Sequence, residues 1–115
     1  MAQWTKLQCI PSRGDEPPAT AEEIEEYQAE VPDWDLVKEE GVNKLRRSFK
    51  FKNFAEALGF TDRVGAAAEE QDHHPTLVTE WGKVTVTWWT HKIGGLHRND
   101  FVMAARTDEL YEEQA

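Results

Sequence analysis

The segment Glu69-Glu70-Gln71-Asp72-His73-His74-Pro75 sets two histidines side by side, with a carboxylate one helical turn before them and a proline directly after. The chain has four histidines, and a third, His91, closes the run KVTVTWWTH. Asp100 stands near the start of the last periodic segment. Imidazole titrates near neutral pH, so it gives or takes a proton under ordinary conditions. Three imidazoles and a carboxylate in one pocket suit proton transfer, and they equally suit a zinc or iron ion. Spacing alone leaves both open, although adjacent histidines rarely both reach one metal, which favours acid–base work. A plainer reading stands beside these. Charged histidine suits the C-terminal end of a helix dipole, and His-His-Pro is ordinary helix-stop composition. Asp100 taken alone is an ordinary helix-start carboxylate, and His97 reads as a capping or surface residue.

The elements around these residues bring their ends together. Thr20 reads as a helix N-cap with Glu23 at the capping-box position, and Ile24, Tyr27 and Val31 share a face of a helix that Pro32 ends. WDLVKEEGVNKLRRSFKFKNF reads as a hairpin turning at Glu40-Gly41. Leu45, Phe49 and Phe51 share one side of its second strand with Arg47 between them, and Lys44, Arg46, Lys50 and Lys52 form a basic stripe expected to be a solvated face. A helix follows from about Asn53 to about Asp72, with Phe54, Ala57, Leu58, Val64, Ala67 and Ala68 at helical spacing. Gly59 and Gly65 interrupt it, which suggests close packing on the sheet. A second hairpin turns near Trp81-Gly82, with Val84, Val86 and Trp88 on one face and Thr85, Thr87 and Trp89 on the other. KIGGL is a loop, and HRNDFVMAARTDELYEEQ is a last helix carrying Phe101, Val102, Ala105 and Tyr111. The order helix, hairpin, helix, hairpin, helix implies an α+β fold: a two-layer, four-stranded antiparallel sheet with three helices on one face.

Residues 1–19 are rich in Pro, Gly and charge and read as a loosely ordered arm from which Trp4 docks on the body. Residues 20–115 read as a single domain. A chain of 115 residues with 39% hydrophobic and 30% charged residues is globular rather than disordered. Its net charge of -9 is repelled by phosphates and anionic lipid, so neither nucleic acid nor membrane is an expected partner. The single cysteine, Cys9, excludes an intrachain disulfide and a thiolate zinc site within one chain. The N-terminal stretch lacks a long apolar run, and a cytoplasmic location is expected.

Glu-x-x-x-His-His-Pro at 69–75, Trp81, Thr90-His91 and Asp100 together resemble the signature of the pterin-4a-carbinolamine dehydratase family, as does the SFKFKNFAEALGFTDRVGAAAEEQDHHP leading into it. The resemblance runs from about Trp34 to about Tyr111. It implies dehydration of 4a-hydroxytetrahydrobiopterin to quinonoid dihydropterin, regenerating tetrahydrobiopterin for an aromatic amino acid hydroxylase, with no metal and no bound cofactor. It implies His73 and His91 as acid and base, His74 as a grip on the ring, and Asp100 and Glu69 in support, Glu69 orienting His73 from one turn away. The pterin contacts it implies come from Asp72, His73, His74, Trp89, Thr90, His91 and Lys92, with backbone near Asp72 and Thr90 reading the amide-like edge. It also implies a homodimer or homotetramer, in which an exposed Trp88 or Trp89 could help cover an open sheet edge.

The sequence departs from the family pattern at a few places. Trp89 stands where a small residue such as serine is expected, and bears on substrate access. Lys92 stands where an acidic residue is common, and Trp81 replaces a tyrosine. CIPS lacks the second thiol of the C-x-P-C found in some bacterial relatives. Two other functions remain to be weighed: a binding or assembly role on the same fold, as in relatives that act as a transcriptional coactivator or resemble a carbon-fixation assembly factor, and a metal-dependent hydrolase using the same histidines.

Overall fold

A computed structural model describes Cys9 and residues 17–114. Most of the expected N-terminal arm, including Trp4, lies outside the described residues. The elements run in the expected order: α1 (Ala21–Gln28), β1 (Asp35–Glu39), β2 (Val42–Lys50), α2 (Phe54–Gln71), β3 (Thr76–Glu80), β4 (Lys83–Trp88), a 3-10 turn (His91–Ile93) and α3 (Arg98–Gln114). The four strands form one antiparallel sheet in the order β1-β2-β4-β3, with the helices on one face. The fold is α+β. Among the described residues no helix is long and apolar enough to cross a membrane.

Local chemistry accounts for the boundaries. Thr20 Oγ1 accepts from the Glu23 N–H and Glu23 Oε1 accepts from the Thr20 N–H, so the capping box that starts α1 is complete. α1 stops at Gln28, earlier than Pro32. Glu30, Val31 and Trp34 instead bond back three residues, to Tyr27, Gln28 and Val31. A residue before proline resists the α conformation, so the chain tightens into such turns ahead of Pro32 and drops Val31 and Trp34 into the core. At the first hairpin Glu40 and Gly41 both take positive φ, 52° and 80°, the two-residue geometry whose twist suits the flanking strands.

Strand alternation fills the space beneath the helices. Leu45 and Phe49 of β2 face it together with Val84, Val86 and Trp88 of β4. Arg47 faces it too, its guanidinium 4.5 Å from the Phe49 ring and 2.6 Å from Asp108 Oδ1. Trp34 Nε1 donates to the same oxygen at 2.8 Å. Burial pushes the Asp108 carboxyl up, while the Trp34 and Arg47 donors pull it back down.

The second helix departs from its expected face. Ala57, Phe60, Val64 and Ala68 are buried, whereas Phe54 and Leu58 remain 45% exposed. Phe60 joins Phe49, Phe51 and Tyr111 in an aromatic cluster. Thr61 Oγ1 meets Thr79 Oγ1 at 2.6 Å and ties the helix to β3. The close packing suggested for the α2 glycines is absent: a Cβ added at Gly59 or Gly65 meets nothing within 4 Å. Their cost to the helix is therefore uncompensated locally. Gly59→Ala and Gly65→Ala are each expected to raise stability by about 1 kcal/mol, read from denaturant unfolding midpoints at constant m.

Candidate active site

The C-terminal end of α2, the end of β4 and the first turn of α3 meet at one carboxylate. Asp100 is fully buried. Its Oδ1 lies 2.6 Å from His73 Nε2. Its Oδ2 accepts from Thr90 Oγ1 at 2.9 Å and from the His97 backbone N–H at 2.8 Å. His97 Nδ1 in turn accepts from the Asn99 N–H at 3.0 Å. His97 is thus the cap of α3, as its position suggested, and Asp100 closes the reciprocal bond three residues on. One carboxylate caps a helix, ties down β4 and holds an imidazole.

Backbone geometry explains why His73 reaches it. Asp72 takes the left-handed conformation, φ 52°, and ends α2, while the His73 N–H bonds back to the Ala68 carbonyl at 3.1 Å. The chain reverses there, so consecutive side chains diverge. His73 turns inward, its ring parallel to the indole of Trp88 at 6° and 5.7 Å between centroids. Its side chain is 12% exposed, so the ring is mostly but not wholly covered. His74 turns outward and pairs with Glu69 at the surface. Glu69 therefore orients His74, not His73 as the helical spacing suggested, because the left-handed residue carries His74 back over the last turn. Asp72 lies exposed at this helix end. Trp88 is fully buried beneath His73, so it has no part in an exposed sheet edge.

His91 begins the exposed 3-10 turn after β4, with Lys92 exposed beside it. Its ring stacks on Trp89 with centroids 4.2 Å apart and planes 22° apart. A bridge between Thr90 and Gly95 closes this loop. Gly95 packs closely on Pro18: a Cβ there would lie 3.0 Å from the Pro18 Cβ, tight enough that the proline would have to give by a few tenths of an ångström. Among the described residues no group of three His, Cys, Asp or Glu side chains is placed to hold a metal ion.

Sequence patterning missed two parts of this arrangement. One is the packing of Cys9 against it. The Cys9 N–H donates to Gln71 Oε1 at 2.9 Å, and burial pushes its thiol up to about 11. The other is the outer sheet face, where the basic stripe is not simply solvated. Glu39 Oε1 takes Arg46 Nη2 at 2.9 Å and Lys44 Nζ at 3.1 Å, and Arg46 Nε donates to Thr87 Oγ1 at 3.0 Å. The Arg46 and then the Lys44 hydrogen bonds hold the Glu39 carboxyl down at about 2, against 4.5 ordinarily. A carboxyl depressed on folding stabilises the folded chain above its unfolded pKa and stops doing so as pH falls through its folded value. The thermal stability difference between wild type and Glu39→Gln is therefore expected to be largest above pH 4.5 and to shrink towards pH 2.

Comparison with known proteins follows the same lines. The family model described as Pterin 4 alpha carbinolamine dehydratase matches residues 17–110. A protein of Microcystis aeruginosa named "Putative pterin-4-alpha-carbinolamine dehydratase" is 54% identical over 114 residues, 99% of this chain and 98% of its own. A protein of Saccharophagus degradans with the same name is 58% identical over 104 residues, 90% of this chain and 92% of its own. The crystal structure of a transcriptional coactivator/pterin dehydratase from Brucella melitensis superposes with a TM-score of 0.74 at 33% identity, covering 82% of this chain and 98% of its own. A pterin dehydratase-like protein identified as a RuBisCO assembly factor in the alpha-carboxysome shares the fold, with a TM-score of 0.58 at 24% identity over 69% of this chain and 89% of its own.

Proposed function

The chain belongs to the pterin 4 alpha carbinolamine dehydratase family, and from that premise we propose that it removes water from 4a-hydroxytetrahydrobiopterin to give quinonoid dihydropterin. The carbon–oxygen bond at C4a breaks, and the hydroxyl leaves as water with a proton from an acid. A base takes the proton from the adjacent ring nitrogen, whose electron pair becomes the new carbon–nitrogen double bond. No electron is gained or lost overall, and one proton donor and one proton acceptor are sufficient for both transfers.

The observation that carries this reading is the His73–Asp100 pair. A carboxylate only accepts, so it fixes the His73 proton on Nε2. Nδ1 is then the nitrogen through which a proton passes to or from the substrate. Trp88 behind the ring and the buried carboxylate beside it hold that nitrogen in one place. His91, on a separate element, is the second proton carrier. His74, oriented by Glu69, grips the pterin, and the exposed backbone near Asp72 and the Thr90–Lys92 segment, with Trp89, complete the binding set. The reaction belongs to tetrahydrobiopterin recycling beside an aromatic amino acid hydroxylase, in a cytoplasmic homodimer or homotetramer.

The test is the rate at which synthetic 4a-hydroxytetrahydrobiopterin becomes quinonoid dihydropterin with and without the protein. A rate well above the spontaneous one is expected. Folded protein that leaves the spontaneous rate unchanged overturns the reading and turns attention to a binding role, as the coactivator wording of the Brucella structure would suggest.

A further inference from the structure

We propose that Trp89, braced by Lys44, is the positioning residue for the His91 imidazole. The catalytic half of the proposal rests on the dehydratase reading; the structural half does not. His91 opens a three-residue turn and is exposed. A side chain in such a place samples several rotamers unless something holds it. His73 is held by a carboxylate, whereas His91 lies on the Trp89 indole at 4.2 Å between centroids. A near-parallel ring contact at this distance fixes both the plane and the reach of the imidazole.

Trp89 is itself anchored. The Lys44 ammonium lies 4.2 Å from its ring centroid. The Lys44 side chain is only 13% exposed, so its stem is packed and its ammonium is held over the indole face. Glu39 fixes Lys44 at 3.1 Å and also takes Arg46, which reaches Thr87 on β4. The row Glu39, Lys44, Trp89, His91 thus runs from the edge strand β1 through β2 to the end of β4. Pleat alternation does the rest. Trp88 points beneath the helices and backs His73, while its neighbour Trp89 points to the open face and backs His91. Between them and the 3-10 turn, Thr90 is tied to Asp100.

The experiment joins histidine ring NMR to steady-state kinetics on the full chain. His91 ring protons, assigned with His91→Gln, are expected upfield in the native protein because of the indole ring current. Trp89→Ser should return them to an unstacked position, Lys44→Met should move them part of the way, and Trp89→Phe should keep most of the shift. The His73 signals, set by Trp88, should stay in place and report an intact fold. In the dehydration assay Trp89→Ser is expected to lower kcat by about 100-fold, the scale of misplacing a reacting group by an ångström, over and above any rise in KM from a lost pterin contact, and Trp89→Phe should recover most of the kcat. His91 protons that do not move in Trp89→Ser, or a kcat that does not fall, overturn the proposal. Should Trp89→Ser disturb His73 as well, the Lys44→Met and Trp89→Phe spectra decide. A native protein without dehydratase activity defeats the functional reading alone, because the ring shifts still show whether Trp89 holds His91.

Discussion

His73→Ala is expected to lower kcat for carbinolamine dehydration by about 10²–10⁴-fold, the usual worth of a positioned proton carrier. Stopped-flow rates at saturating substrate would measure it. The effect should fall on kcat rather than KM, because proton transfer is completed only in the transition state. The fold should tolerate the change better than most core truncations. His73 is not wholly covered, and Asp100 keeps its Thr90 and His97 donors when the imidazole is gone. A variant that unfolds would be explained by packing over Trp88; a folded variant with wild-type kcat would remove His73 from the chemistry. The corresponding loss in His74→Ala should be smaller, since that imidazole is half-exposed and paired with an exposed Glu69.

Two substitutions at Asp100 are expected to separate its structural from its chemical work. Asp100→Ala orphans the His73 Nε2, Thr90 hydroxyl and His97 N–H donors at once. Each buried unsatisfied donor costs about 1–3 kcal/mol, and the helix loses half of its capping arrangement. A stability loss of about 3 kcal/mol or more is expected, seen as a fall in Tm of about 10 °C or more. Asp100→Asn has nearly the same shape and should lose far less stability. Its amide oxygen can stay with the Thr90 and His97 donors, which places its NH2 group against His73 Nε2. The imidazole must then move its proton to Nδ1 to accept there, and Nδ1, the nitrogen proposed to meet the substrate, can no longer take up a proton from it. A folded Asp100→Asn with kcat down by about 10²-fold or more is the expected result. Near-native kcat in that variant would show that the tautomer is not set by Asp100.

Hydrophobic patterning and turn chemistry made the element order readable from the chain alone. Two hairpins with two-residue turns, three amphipathic segments and a complete capping box each carry a local signal. Alternation separated Val84, Val86 and Trp88 from Thr85, Thr87 and Trp89, but only packing showed that the first set, Trp88 included, is fully buried. The face of α2 was less legible. Phe54, Leu58 and Phe60 are all apolar, and only packing on the sheet and α3, where Phe60 meets Phe49, Phe51 and Tyr111, shows which are covered. The pairing of Glu69 was legible in distance but not in direction. One left-handed residue, Asp72, reassigns it from His73 to His74.

The sequence by itself determined the α+β order, the cap that starts α1, the stop of α2 ahead of Pro75, the residues able to move a proton, and through their spacing the family pattern. These depend on near neighbours, where 2- and 3.6-residue periods and caps act directly. Only the tertiary structure decided what each histidine leans on. His73 meets Asp100 across 27 residues, and Trp34 meets Asp108 across 74. Such contacts arise when packed elements bring their ends together, and no local period encodes them. The division between Trp88 and Trp89 shows both levels at work: alternation sends the two indoles to opposite faces, but the packing of α2 and the row from Glu39 determine which histidine each one supports.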